Sequence, residues 1–258
     1  MNRREKNIMD HDKERVLLQQ TLYESKNPTR RWLHNIRKDW IISKIYQYKR
    51  PEKGISLEVG PGAGIYIPIL DQVSDRLIVS DLEIDYLAYI SQLYKNRNIQ
   101  IIEDDITCTK ILPGSMDLIL FTEVIEHIKD SGTALHNLYR LLKPGGVLIL
   151  STPQKYSPLE IFSKIAYLPF IIDMVRYVYR EPVHETGHIN LMTEKILKKQ
   201  ILAAGFNIIE QHKSGLYIPL IAEFFGQKGL AWECKLEKNI MGSCLDVFLW
   251  TQYYIVKK

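Results

Sequence analysis

The sequence predicts an α/β domain in which a mostly parallel sheet is covered by helices. Two observations carry this expectation. Short apolar, β-branched runs alternate with segments of helical period along most of the chain. A glycine-rich turn, GPGAG, joins the first run to the helix that follows it. In order, the runs are ISLEVG (55–60), LIVSD (77–81), IQIIED (99–104), MDLILFT (116–122) and GVLILST (146–152), with NIIEQHKSG (207–215) and LWTQYYIVKK (249–258) after a long gap. Helical segments fall at roughly 29–48, 64–73, 84–96, 131–143 and 193–204. The breakers agree with this division: KPGG (143–146) supplies a proline and two glycines before a strand, Thr193 is placed as an N-cap, and Gly205 stops the helix that Thr193 starts.

Two segments interrupt the alternation. Residues 154–186 are aromatic and apolar, and 216–245 is a mixed insertion before the last run; segments this long inside a domain serve as lids or binding elements. The organisation expected is a helical N-terminal cap over 1–50 and a main domain over 51–258 carrying these two insertions.

The 258 residues suffice for one large α/β domain with a real core, and 46% hydrophobic with 25% charged residues is the composition of an ordinary soluble protein. Residues 1–50 hold 13 Lys/Arg against 6 Asp/Glu, a net of +7, and the rest holds 21 against 24, a net of −3. A basic segment of this kind suits a solvated helix face or contact with an acidic partner. Cys108, Cys234 and Cys244 form no CxxC pair, which argues against a disulfide framework or zinc knuckle and fits a reducing cytoplasm. The start of the chain lacks the apolar core of a signal peptide, and no run approaches the ~20 apolar residues that cross a bilayer.

In LEVGPGAGIY (57–66), Gly60, Gly62 and Gly64 remove side chains where a ligand must approach the backbone. Pro68 is tolerable only in the first turn of a helix starting at about Ile65. The spacing is GxGxG, neither the GxGxxG of dinucleotide binders nor a P-loop. Acids follow in register. Asp81 ends the second strand, where a carboxylate accepts both hydroxyls of a ribose. Asp105 can accept from an exocyclic amine such as that of adenine, with Ile106 offering an apolar face to the ring. Glu58, inside the first strand, is a charge at a buried position and needs a partner such as a ligand ammonium.

LEVGPGAG, the acid in LIVSD, EDDI, FTEVIEHI and LLKPGGVLILSTP together resemble the class I S-adenosylmethionine-dependent methyltransferases, and within them the branch of the ubiquinone-pathway O-methyltransferases. The resemblance is close over about 55–155 and loose at the final helix and strands. It implies a Rossmann-like seven-stranded sheet whose last strand is inserted antiparallel, and S-adenosylmethionine as cofactor. By position, the cofactor residues are Glu58, Gly60, Gly62, Gly64, Asp81, Leu82, Asp105, Ile106, Thr122 and Glu123.

FTEVIEHI (121–128) sets Glu123, Glu126 and His127 at i, i+3 and i+4, one face of a helix beginning near Glu123. The resemblance extends to small-RNA 2′-O-methyltransferases, whose E-x-x-E-H binds a divalent ion with a later histidine; here the counterpart is His188. Three readings stay open: a site for an ion such as Mg²⁺ or Mn²⁺ on Glu123, Glu126, His127 and His188; His127 or His188 as a metal-free base or orienting group; and a purely structural role. HETGH (184–188) also matches a zinc-protease pattern, but Pro182 and Gly187 oppose the unbroken helix that pattern needs.

The expected reaction is methyl transfer to a small acceptor, apolar or amphipathic given the two insertions, most simply at a hydroxyl whose proton a histidine removes. RNA methylation, N- or C-methylation and non-catalytic cofactor binding are the alternatives. No nucleic-acid-binding module accompanies the basic helix 29–49, whose apolar stripe runs through Trp32, Ile36, Trp40, Ile41 and Ile45.

Overall fold

A computed structural model describes residues 21–166 and 187–258. Its sheet has seven strands in the order β3-β2-β1-β4-β5-β7-β6. The strands are β1 (Gly54–Val59), β2 (Ser74–Asp81), β3 (Ile99–Glu103), β4 (Met116–Thr122), β5 (Leu142–Pro153), β6 (Asn207–Ser214) and β7 (Thr251–Lys257). β1 to β5 pair in parallel, and β7 runs antiparallel between β5 and β6. This is the sheet the family resemblance implied, including the inverted last strand.

Alternation along the central strands builds two cores. On β4, Leu118 and Leu120 face one side while Ile119 and Phe121 face the other; Val147 and Ile149 of β5 and Tyr253 and Ile255 of β7 join the first side, and Leu148, Leu150, Tyr254 and Val256 the second. A strand covered on both faces must be apolar throughout, which is why MDLILFT reads as a continuous run. Helix α1 (Pro28–Tyr48), α2 (Ile67–Val73) and α3 (Ile84–Leu93) cover the first side, with Ile41, Ile45, Leu70 and Ile90 fully buried. Helix α4 (Ser131–Leu141) and α6 (Glu194–Ala203) cover the second through Leu135, Leu138, Leu197 and Ile201. Helix α5 (Pro158–Ala166) follows β5, and α7 (Ile221–Ile240), kinked at Gly226, fills the insertion between β6 and β7.

Local chemistry sets the ends. Asn27 caps α1 by accepting from the Arg30 N–H, with Pro28 at its start; Thr193 caps α6 as expected, and Gly205, at φ +99°, ends it. The second helix begins at Ile67 rather than Ile65, still keeping Pro68 in the first turn. KPGG lies inside β5 rather than before it, so α4 ends at Leu141. The stripe of α1 is also rotated from expectation: its buried line is Thr29, Leu33, Arg37, Ile41 and Ile45, with Trp32, Ile36 and Trp40 half-buried beside it. Among the described residues no helix is long and apolar enough to cross a membrane. Of the 154–186 insertion, residues 167–186 lie outside the described residues.

Candidate active site

The C-terminal ends of β1, β2, β4 and β5 form one rim of the sheet, where ligands bind in open parallel sheets. Gly60, Gly62 and Gly64 carry φ of +69°, +51° and +73°, a region closed to most side chains. Gly60 is doubly constrained, because its N–H donates to the Ser80 carbonyl at 2.8 Å and a Cβ would stand 2.4 Å from Val124 Cγ2. The glycines therefore leave bare backbone at the end of β1.

Glu58 sits just before this loop, 2% exposed, and its Oε2 has no hydrogen-bond partner among the described residues. Burial pushes its carboxyl up to about 8. An orphaned buried carboxyl is costly unless something meets it, so the position fits a ligand ammonium. Asp81 is half-buried at the end of β2; its Oδ1 accepts from the Glu83 N–H at 2.9 Å, and burial raises its pKa. Leu82 is exposed beside it. Asp105 accepts from both the N–H and the hydroxyl of Thr107 at 2.8 Å, which fixes the loop after β3. Ile106 points into the second core and is buried, so its side chain is committed there. Thr122 ends β4, paired with Ser151.

The stretch after β4 departs from the expected helix. Glu123 adopts φ +56°, in the left-handed region, and a single 3₁₀ turn (Ile125–His127) follows; the α-helix starts only at Ser131. The i, i+3, i+4 face consequently does not form. Glu123 turns instead to α1, where Arg37 Nη1 donates to its Oε2 at 2.5 Å, while the Ser151 hydroxyl donates to its Oε1 at 2.9 Å. Arg37 is itself buried, lies over the Trp250 ring at 4.8 Å, and faces His34 through Nη2 at 3.1 Å. Burial is the largest influence and works against its charge, but Glu123 together with Tyr23, Tyr66 and Tyr253 more than offsets it, and the Arg37 pKa is raised.

Glu126, His127 and His188 do converge: one ligand atom from each lies within 4.8 Å of the others. Glu123 is not part of this group, which corrects its place in the expected ligand set. Glu126 is fully buried; its Oε2 accepts from the Thr152 hydroxyl at 2.9 Å, and its Oε1 has no partner among the described residues. Burial, and after it the nearby Glu123, hold its carboxyl well above the usual range. The two rings meet edge to face at 5.1 Å. His127 Nδ1 faces the Gly187 carbonyl at 3.2 Å, so that nitrogen carries the proton; burial and the neighbouring His188 lower the ring's pKa. His188 Nδ1 faces Glu160 Oε2 at 2.9 Å, and Glu160 Oε1 accepts from Trp250 Nε1 at 3.1 Å. In the neutral form of each ring these contacts place the proton on Nδ1 and leave Nε2 as the acceptor.

Glu160, Arg37 and Trp250 were missed from the sequence. An acid between Leu159 and Ile161 in an otherwise apolar turn was the available signal for Glu160. In HETGH, Gly187 has φ +67° and residues 187–190 form no helix, so a zinc-protease helix is absent there; His184 and Glu185 lie outside the described residues.

Comparisons with known proteins agree with this geometry. A family model described as a methyltransferase domain matches residues 29–211. A ubiquinone biosynthesis O-methyltransferase of Psychrobacter arcticus is 26% identical over 222 residues, 80% of each chain. A demethylmenaquinone methyltransferase of Chlamydia caviae is 28% identical over 119 residues, 45% of this chain and 51% of that one. The chain spans about half or less, 40–51%, of the length of the first relatives it matches. An S-adenosylmethionine-dependent methyltransferase of Mesorhizobium loti shares the fold, with a TM-score of 0.58 at 14% identity over 86% of this chain and 98% of that one.

Proposed function

This chain belongs to the methyltransferase-domain family, and on that premise we propose that it methylates a hydroxyl oxygen of a small, amphipathic acceptor. S-adenosylmethionine is the cofactor of the family, and when bound it supplies an electrophilic methyl on a sulfonium. The residues present fit it. The bare backbone of Gly60, Gly62 and Gly64 gives close approach, the orphaned Glu58 carboxyl meets the ammonium, and Asp81 accepts from the ribose hydroxyls. Asp105 stands at the adenine end, and Thr122 and Glu123 close the site at the end of β4.

Displacement at a methyl needs positioning more than covalent help, and holding the partners in line contributes on the order of 7–11 kcal/mol. What the acceptor adds is a proton to be moved. The observation that carries the hydroxyl reading is the Glu160–His188 contact: a carboxylate holding Nδ1–H leaves Nε2 as the base, in the orientation general-base catalysis requires. His127, held by the Gly187 carbonyl, stands beside it as the second candidate. The O-methyltransferase name of the Psychrobacter relative points the same way.

One observation favours a second reading of the same cluster. The orphaned Glu126 Oε1 and two histidines with free Nε2 atoms are a donor set for a hard or borderline divalent ion, and Glu160 behind His188 is the supporting carboxylate such ligands use. An ion there would lower the pKa of a bound hydroxyl.

Both readings meet in one assay. With methyl-labelled cofactor and amphipathic acceptors bearing hydroxyl and amine groups, the product should be a methyl ether. His188→Ala should lower kcat by roughly 10²–10⁴-fold. Turnover that a chelator abolishes and Mn²⁺ or Mg²⁺ restores selects the ion; chelator-insensitive turnover selects the histidine base. Methyl found on nitrogen or carbon overturns the hydroxyl assignment.

Glu58 yields a pH dependence. Its folded value of about 8 lies above the ordinary 4.5, so between those values the folded protein holds a proton that the unfolded chain has released. The stability it contributes is complete below the ordinary value, falls as pH rises through the window, and is gone above about 8. A cofactor ammonium needs the carboxylate, so binding expels that proton. Affinity for S-adenosylhomocysteine should strengthen from pH 6 to 8 by up to about tenfold per unit. Calorimetry in buffers of different ionisation enthalpy reads the released proton, and Glu58→Gln should remove both the slope and the release. A flat profile in the unmodified protein contradicts the ammonium assignment.

A further inference from the structure

Helix α7 sorts its acids and its aromatics in the opposite sense to a solvated helix. Beyond the kink at Gly226 its buried line is Gly229, Glu233, Glu237 and Ile240, spaced at i, i+4, i+8 and i+11. Both acids are engaged inward: Glu237 Oε2 accepts from the N–H groups of Gly215 and Leu216 at 3.2 and 2.9 Å, and Glu233 Oε1 from that of Ile218 at 2.8 Å, while the Thr29 hydroxyl of α1 donates to Glu233 Oε2. The outward side carries the apolar groups. Trp232 is 58% exposed and Phe225 54%, their rings stacked obliquely at 5.6 Å, with Phe224 73% and Leu236 42% exposed. Lys228, Lys235 and Lys238 are exposed among them. Of the charged side chains described on this helix, then, the acids face the protein and the lysines face out.

A water-facing helix places its charges outward and its aromatics inward. Aromatic and leucine side chains exposed together with lysines, on a helix too polar to span a bilayer, match the composition of helices that lie in a membrane interface. The charge settles which surface: three cations with no described acid facing outward complement an anionic one. We propose that the outer face of α7 docks the protein on an anionic lipid bilayer, with Phe225, Trp232 and Leu236 entering the headgroup boundary and the lysines meeting lipid phosphates. Gly226, at φ +54° and ψ −129°, sets the angle that brings Phe225 onto Trp232.

The test is vesicle flotation with the full chain, using phosphatidylcholine vesicles with and without about one-third phosphatidylglycerol. Binding is expected to the anionic vesicles, weakened in high salt and absent from pure phosphatidylcholine. Phe225→Ser with Trp232→Ser should abolish it. Lys228→Gln, Lys235→Gln and Lys238→Gln together should lower the partition coefficient by roughly 100-fold, taking each lysine as about fivefold. An unchanged melting temperature and unchanged S-adenosylhomocysteine affinity in the variants would show that the fold and the cofactor site are intact. No binding to anionic vesicles, or binding that survives the aromatic variant, overturns the proposal. Self-association of the free protein that the aromatic variant removes overturns it in favour of a second copy on this face.

Discussion

Replacing Asp81 with alanine will lower the affinity for S-adenosylhomocysteine by roughly 10²–10⁴-fold, because two hydrogen bonds to a carboxylate are lost at about 1.5–3 kcal/mol each. On the proposed reading the side chain stands where the ribose would be held. It ends β2 on the same rim as the glycine loop, and the Glu83 N–H holds its Oδ1 so that the carboxylate does not have to be ordered on binding. The ligand-free fold should scarcely notice the change, since burial already disfavours the Asp81 charge. Asparagine should fall between the two, keeping the shape and one acceptor while losing the charge. Calorimetric titration with S-adenosylhomocysteine beside a thermal melt separates binding from stability. An unchanged dissociation constant would remove Asp81 from the site, and with it the position-by-position transfer of the cofactor residues.

The parts of this site that were legible in the sequence are those governed by local chemistry. Three glycines spaced by two had to be where the chain needs positive φ, and they are. The short, nearly continuous apolar runs MDLILFT and GVLILST were enough to give central strands, since burial on both faces leaves few positions for polar side chains. The stretch FTEVIEHI shows where that kind of inference stops. Its spacing implies a common face only if the backbone is helical, and at Glu123 the backbone turns left-handed. Glu126 and His127 still converge, because one 3₁₀ turn keeps adjacent residues near each other, but Glu123 leaves the group.

What drew Glu123 away was equally invisible. Arg37 is 86 positions distant on a helix whose apolar periodicity assigns an arginine to solvent. The cation lies on the buried line because a carboxylate waits for it there. Glu160 escaped for the same reason: a buried acid is identified by its partners, His188 and Trp250, which lie 28 and 90 residues away. Local pattern gives the scaffold, and the pairing of charges across it depends on the tertiary fold.

The Arg37–Glu123 pair is the joint between the N-terminal helix and the site, and breaking it will have the larger effect on stability. Arg37→Met leaves Glu123 without its cation in a place where only about a fifth of its side chain is exposed. Removing one partner of a buried pair costs about 3–5 kcal/mol, which for a domain of this size lowers the melting temperature by about 6–20 °C. Glu123→Gln alone should also destabilise, by stranding a buried guanidinium whose Nε already lacks a partner among the described residues. The double variant should recover most of the loss, since a methionine beside a glutamine leaves no uncompensated charge, and the coupling in this cycle measures the pair itself. Glycine at 123 separates charge from backbone: it relieves a left-handed conformation worth about 1–2 kcal/mol while losing the ion pair, so it should be less damaging than alanine. If Arg37→Met melts with the unmodified protein, the helix is held by its apolar line alone, and Glu123 is free to serve the cofactor without α1.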